Sequence, residues 1–378
     1  MDESDKKDLP KVSSDRDRRK IIIWLWLICI LIAFTVVVGG ATRLTNSGLS
    51  ITEWKPIVGA IPPLSEVDWQ KAFALYKQIP EYQIEHPNMD LSGFKFIFLW
   101  EYFHRNLGRL LGLVFLIPFG IFLFRRSLSS LLIQKLLIGF SLGALQGILG
   151  WLMVTSGLSG RTDVSHYRLA AHLILAFFIF SYFLKIIQCM AVAPQPKFKH
   201  QAQVRIGIGI LHSLLGFQII YGAFVAGLRA GYGYNTFPKM NDTWMPSQAL
   251  IQHPIWINFV ENPAMVQFIH RWIGMALTFG VLVFYFWCRN LELGKMRQRS
   301  LNLILAITLT QTSLGILTLI TGMQFWLALA HQLGALVAFG SFQVFALTLR
   351  IPNVAEYQSL SSPLPTCQNH AGQVSRSS

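Results

Sequence analysis

EYFHRNLGRLLG, residues 101–112, recurs 166 positions later as QFIHRWIGMALT, residues 267–278. Each copy sets a histidine, His104 or His270, in an apolar run and follows it directly with an arginine. A second pair of segments repeats in step: RLAAHLILA (168–176) carries His172, and LALAHQLGAL (327–336) carries His331, 159 residues further on. The flanking text agrees as well. VVVGGATRL (36–44) matches IIYGAFVAGL (219–228), and QGILGWLMVTSGL (146–158) matches QTSLGILTLITGM (311–323). Self-similarity at this spacing marks a duplicated unit whose connections differ in length between copies.

The unit is built for lipid. Of the chain's 378 residues 53% are hydrophobic and 13% charged, and the mean hydropathy is +0.45, outside the range of soluble domains. Runs long enough to cross a hydrocarbon core fall near 21–40, 96–124, 131–154, 166–188, 206–227, 265–288, 301–322 and 325–348. The pattern predicts an all-α integral membrane protein. Its eight transmembrane helices form two repeated four-helix bundles, related by an axis along the membrane normal. The division is a polar segment 1–20, an N-terminal repeat 21–188, a linker 189–205, a C-terminal repeat 206–348 and a polar tail 349–378.

The net charge of +14 reports topology. Twenty of the 32 Lys and Arg lie before residue 21, in the turns 125–135, 185–205 and 289–299, and in the tail from Arg350. These are alternate connections, so they share one side, and the positive-inside rule makes it the inner one. Both termini are then inside, and nucleic acid is excluded as a partner. The N-terminal segment lacks a signal peptide's apolar core, and five Asp and one Glu speak against a transit peptide. The expectation is a bacterial inner membrane, with the first helix as its own insertion signal. Cys29, Cys189, Cys288 and Cys367 are scattered and read as small buried residues without an outer disulfide. The long outer connections are 41–95 and 228–264. The first contains VDWQKAFALYKQI (67–79), an amphipathic stretch suited to the membrane surface. Loops of this length are usually functional, which puts the working face outside.

An ionisable side chain inside a membrane span is costly and is read first as functional. Counted from the helix starts, all four histidines sit roughly 8–12 Å below the outer surface at 1.5 Å per residue. Equal depth is what two axial ligands of one iron require. Two histidine pairs, one per copy, therefore predict two bis-histidine hemes. The other histidines fit less well. His166 is six residues from His172 and faces elsewhere on the helix; beside Tyr167 and Arg168 at the boundary it suits a propionate or water contact. His212 has no counterpart in the first copy and reads as structural. His86, His200, His253 and His370 lie in loops or the tail. Gly39, Gly40, Gly108, Gly112, Gly274 and Gly334 are assigned to close helix packing.

One difference between the copies stands out. Three residues before the first histidine is Glu101 in one copy and Gln267 in the other, on the histidine's own helix face. A carboxylate beside a heme edge acts as a base or stabilises positive charge, whereas an amide does neither, so the first copy reads as the reactive site. Arg105 and Arg271 suit either heme propionates or interfacial anchoring.

GGATRLTNSGLSITEWKPI (39–57), WEYFHR, FIHRW, VSHYRLAAHL and ALAHQLGA together resemble the heme A synthases of mitochondria and Gram-negative bacteria, over residues 20–350. The resemblance implies oxidation of a methyl group of heme O to a formyl group, giving heme A for terminal oxidases. It implies that His104 and His172 flank heme O, that Glu101 is catalytic, and that His270 and His331 ligate a heme b cofactor. It leaves Arg105, Arg271 and Arg168 as propionate contacts, and implies a heme O synthase and an electron acceptor as partners, with a homo-oligomer open. The cysteine pair of another branch of the family is missing from the outer loops. A diheme cytochrome that only passes electrons is the rival; it explains the histidines but not Glu101 against Gln267.

Overall fold

The helix ends follow from local chemistry. Asp90, Ser129, Asn262 and Gln324 each accept a backbone N–H of the first turn at the start of a long helix, and Pro263 stands where its missing N–H costs nothing. The computed structural model describes residues 15–54, 58–192 and 195–349. Its helices are α1 (Asp15–Leu44), α2 (Glu66–Tyr76), α3 (Pro80–Glu85), α4 (Leu91–Phe124), α5 (Ser130–Thr155), α6 (His166–Ala191), α7 (Gln201–Gly227), α8 (Asn258–Glu261), α9 (Pro263–Cys288), α10 (Lys295–Ile320) and α11 (Phe325–Thr348). Eight of them, all but α2, α3 and α8, are long and apolar enough to cross a membrane. They coincide with the eight apolar runs to within a turn or so at each end. No strand occurs among the described residues; Met240 and Thr243 form an isolated bridge. Residues 1–14 of the N-terminal segment and the tail from 350, with Cys367, lie outside the described residues.

In the first half α1 packs on α4 and α6, and α5 on α6. In the second α7 packs on α9 and α11, and α10 on α11 and α9. The halves meet through α1, α6, α7 and α11. A continuous apolar core runs down this centre, with Phe177, Phe183, Phe342 and Phe345 among its buried members. The peripheral α5 and α10 are the least buried of the long helices, as lipid-facing helices are. At the end away from the histidines, buried Arg297 donates to Pro196 O (2.7 Å) and Thr348 O (3.0 Å), and Gln188 donates to Val344 O (2.7 Å). These bonds satisfy main-chain carbonyls at helix ends.

The long connection between α1 and α4 folds back over its own half. Ser65 caps α2, and Trp69, Phe73 and Tyr76 from α2 pack on Phe94 and Phe98 at the start of α4. The apolar face of VDWQKAFALYKQI is thus used against α4. Tyr102 of α4 donates to Ala60 O (2.7 Å). In the second connection Asn258 and Asn262 tie the loop to the start of α9. Asp163 pairs with Arg43 (3.4 Å) and Arg229 (2.9 Å), and Arg229 with Glu85 (3.4 Å), joining the two halves to each other.

Candidate functional site

Four histidine rings occupy four equivalent seats. Each rests its Cε1 edge on a glycine of the neighbouring helix: His104 on Gly39, His172 on Gly150, His270 on Gly222 and His331 on Gly315. A Cβ at those glycines would stand 2.8, 2.9, 3.2 and 2.7 Å from the ring carbon, so three of the four seats admit no side chain without displacing the imidazole. One turn before each glycine is Thr35, Gln146, Gln218 or Gln311, whose main chain lies close to the same ring. The glutamine amides add to this. Gln146 donates to His172 O (3.0 Å) and lies 3.3 Å from its Nε2. Gln311 donates to His331 O (2.8 Å), and the Gln218 amide lies 3.4 Å from His270 Nε2.

These seats fit a heme better than a bare ion. His104 and His172 lie within each other's electrostatic reach, as do His270 and His331. Among the described residues no three His, Cys, Asp or Glu gather as a metal cage. Two imidazoles suffice for an iron whose other four ligands come from a porphyrin. Every ring is half-buried and leaves its Nδ1 sealed without a partner that meets hydrogen-bond geometry. With Nδ1 sealed, Nε2 is the nitrogen of each ring that an outside ligand can reach.

Glu101 is buried next to the first pair, and its oxygens are fully engaged. Oε1 accepts from Arg105 Nε (3.0 Å) and Nη2 (2.6 Å), and Oε2 accepts from the Ser50 hydroxyl (2.7 Å) and the Ile51 N–H (2.8 Å). Arg105 also donates to Ile51 O (2.8 Å) and Glu53 O (3.3 Å). The pair clamps the start of the first long connection to α4. In the second half Gln267 donates to Tyr234 O (3.1 Å), and Arg271 donates to Tyr234 O, Thr236 O and Lys239 O at 2.6, 2.6 and 3.0 Å. Both arginines therefore hold a connecting loop by its carbonyls, and most of their N–H groups are taken. Arg168 donates to Leu152 O at the exposed start of α6.

Two other histidines stand apart from the seats. His212 packs edge-on against Phe339 with centroids 4.5 Å apart, a structural placement. His166 is buried against Tyr167 and Phe224, and its Nε2 is 3.8 Å from Glu261. The residues that the sequence reading missed are the seat glycines Gly150, Gly222 and Gly315 and the glutamines one turn before them. The signal was present: Q-x-x-x-G occurs at 146–150, 218–222 and 311–315, each time in a repeated segment.

Comparison with known proteins places the chain in a family. The model of the family described as cytochrome oxidase assembly protein matches residues 22–342, which hold all four seats. The chain belongs to that family. It is 46% identical over 327 residues to the heme A synthase of Rhodospirillum centenum, covering 85% of this chain and 86% of that one. With the heme A synthase of Nitrosomonas eutropha it shares 42% over 348 residues, 90% and 97% of the two chains. With that of Wolbachia pipientis it shares 41% over 335 residues, 88% and 94%. The likeness to members of the family is nearly end to end.

Proposed function

We propose that this chain is a heme A synthase, a membrane enzyme that oxidises a methyl group of heme O to a formyl group. One observation carries the reading: two histidine pairs in matching glycine seats, only one of which has a carboxylate beside it. His104 and His172 hold the substrate heme, and His270 and His331 hold heme b. Bound heme b supplies one-electron redox chemistry next to the substrate site. The overall change, CH3 plus water to CHO, releases four protons and four electrons, so the site needs both a proton acceptor and an outlet for electrons.

The residues divide that work. Two imidazoles leave no open position on the substrate iron, which favours oxidation at the ring edge over oxygen activation at the metal. Glu101 places negative charge at that edge. To take up a proton it must release one of its four donors, and Ser50 is the easiest to release because a hydroxyl can turn and accept instead. Arg105 stays with Oε1 and keeps the clamp closed while Oε2 exchanges. The first long connection, with α2 packed on α4, is held to Glu101 through Ser50 and Ile51.

The basic inner turns support a multi-pass bacterial inner-membrane protein with both termini inside and both heme sites toward the outer side. A heme O synthase as donor and a membrane electron acceptor follow from the reaction. The test is the pigment extracted from purified protein: heme B together with heme O or A is expected. Heme B alone, from cells that make heme O, returns the chain to an electron-transfer cytochrome.

A further inference from the structure

Beneath the histidines, one half is bridged and the other is open. In the second half Thr278 of α9 and Thr312 of α10 bring their hydroxyls to 2.7 Å of each other. Each also lies close to a carbonyl of its own helix, Gly274 O at 2.8 Å and Thr308 O at 2.9 Å. One hydroxyl therefore donates across the seam and the other along its helix. Thr308, a turn away on α10, is buried. In the first half the repeat puts glycine at all three places: Gly112 for Thr278, Gly147 for Thr312 and Gly143 for Thr308. Beyond the helix's own backbone, nothing lies within 4 Å of the Cβ position at any of them, nor at Gly108. α4 also packs less closely on α5 than α9 does on α10. Small residues usually let helices approach; here the helices have not closed over them. Because the counterparts of Gly112 and Gly147 touch, these two glycines face each other across a gap.

The gap leads away from the histidine pair. Gly112 is eight residues beyond His104 on α4, and Gly143 is seven before the seat Gly150 on α5, about 12 and 10 Å at 1.5 Å per residue. α4 ends where α5 begins, so both rows descend together. The two hemes differ in a way that suits this difference. Heme O carries a hydroxyfarnesyl chain where heme B has a vinyl group, on the side of the ring away from the propionates. Charged propionates keep to the loop end of a bundle, near water. The chain of a heme held by His104 and His172 then runs down the gap, whereas below His270 and His331 the threonine bridge occupies that path.

We propose that the gap between α4 and α5 takes the isoprenoid chain of the substrate heme, and that the Thr278–Thr312 bridge keeps such a heme out of the second half. Gly112, Gly143 and Gly147 are then specificity-determining residues, each by what it leaves out. This deepens the reading above and rests on the first pair holding the substrate heme. Lipid tails are as apolar as an isoprenoid chain, so the selectivity comes from fit and not from the hydrophobic effect. A chain held in the gap also fixes the turn of the ring about the line between its two histidines. That rotation decides which edge, and so which methyl group, meets Glu101.

The experiment counts extracted pigments per chain, heme O and heme A together against heme B, in protein purified from cells that make heme B and heme O. Gly112→Thr with Gly147→Thr builds the bridge into the first half. Its ratio of farnesylated heme to heme B should fall by roughly 10- to 200-fold, the discrimination typical of one misfitted methylene. Heme B should take the emptied first site and keep the spectrum low-spin. Thr278→Gly with Thr312→Gly opens the second half, and farnesylated heme should then exceed one equivalent per chain. A first double variant that keeps the native ratio overturns the proposal. Should that variant give no protein, or lose the first site for heme B as well, the second decides alone: excess farnesylated heme supports the proposal and a native ratio overturns it. Heme B alone in the native chain is a separate result, which sinks the functional reading itself.

Discussion

Replacing Glu101 with Gln is the sharpest perturbation of the first site, and the clamp decides how it must be read. An amide offers one acceptor and one donor where the carboxylate has two acceptors. If its oxygen stays with Arg105, its NH2 faces the Ser50 hydroxyl, which can turn, and the Ile51 N–H, which cannot. One buried N–H is left unpaired, at about 1–3 kcal/mol, and the bonds to Arg105 lose charge assistance, at about 1–2 kcal/mol more. Loosening of the loop alone can thus cost roughly 30-fold to a few thousand-fold. Removing an acid–base group costs about 100-fold to 10,000-fold, which overlaps. Ser50→Ala separates the two causes. It removes one donor and keeps the carboxylate, so loss of about tenfold or less is expected where proton chemistry dominates. Glu101→Gln should cut heme A by about 100-fold or more, with heme O or a partly oxidised intermediate accumulating and heme b unchanged. The assay is chromatography of pigments from cells that make heme O, alongside limited proteolysis of the loop after Leu44. Near-normal heme A in Glu101→Gln would falsify a catalytic carboxylate. A Ser50→Ala loss as deep as that of Glu101→Gln, with the loop cut faster in both, would make Glu101 a clamp only.

Other outcomes follow from the same geometry. His270→Ala or His331→Ala should lose the heme b spectrum, because each removes an axial ligand; a normal low-spin spectrum in both would refute the assignment of the second pair. Alanine at the seat glycines should act in order of the space available. Gly315→Ala and Gly39→Ala, at 2.7 and 2.8 Å, should disturb low-spin ligation strongly and Gly222→Ala, at 3.2 Å, mildly, as read by the optical spectrum of the purified protein; equal effects at all three would refute the seats. Glu81 of α3 is buried with its Oε2 3.2 Å from the Tyr76 hydroxyl, and burial pushes its carboxyl up to about 8 from 4.5. Glu101 and Asp163 push the same way, against Tyr76 and Arg229. The folded cap binds more protons than the unfolded one between those values, so its stability falls as pH rises through that window. Hydrogen-exchange protection factors in α2 and α3, which divide out the base catalysis of exchange itself, should fall from about pH 5 to 8 in the native chain, and Glu81→Gln should flatten that fall; an unchanged fall would refute the assignment to Glu81.

The long helices were legible because each needs about twenty apolar residues and little else, so Phe325–Thr348 was read to the residue, while Leu91–Phe124 begins five residues before the run read at 96–124. The histidine pairs were legible for a related reason: a buried imidazole has to be explained, and repetition in a duplicated context explains it. The seats were not read, although Q-x-x-x-G was in plain sight, because a glycine in an apolar helix carries no mark of what rests against it. Gly39, taken for general helix packing, proves to hold the His104 ring, while Gly108 and Gly112, read the same way, have nothing within 4 Å of their Cβ positions. The occupation of Glu101 was hidden for another reason. Ser50 and Ile51 lie some fifty residues away in a loop whose path no periodicity encodes. Single-helix patterns show which face a residue takes, but not which loop returns to it.

The difference between the copies has a physical logic of its own. A duplicated bundle begins with two equal sites, and equal sites cannot both retain one heme and exchange another. Three positions around the first histidine of each half break the equality: Glu101 against Gln267, Thr35 against Gln218, and Gly108 left open where Gly274 is filled. All three are on α1 and α4 or their counterparts α7 and α9, and none is on the α5–α6 or α10–α11 pairs, whose seats keep glutamine and glycine in both halves. The unchanged pairs give each half the same glycine seat and the same amide bond to its second histidine's carbonyl. The changed pair sets what differs: an amide beside His270 in the second half, and an open notch and a clamped carboxylate on the His104 helix in the first. Placing glutamine at position 35 and position 101 together would give the first half the second half's side chains there and remove the carboxylate from its site. Such a chain should keep two bis-histidine hemes and make no heme A, an outcome that neither substitution needs to reach alone.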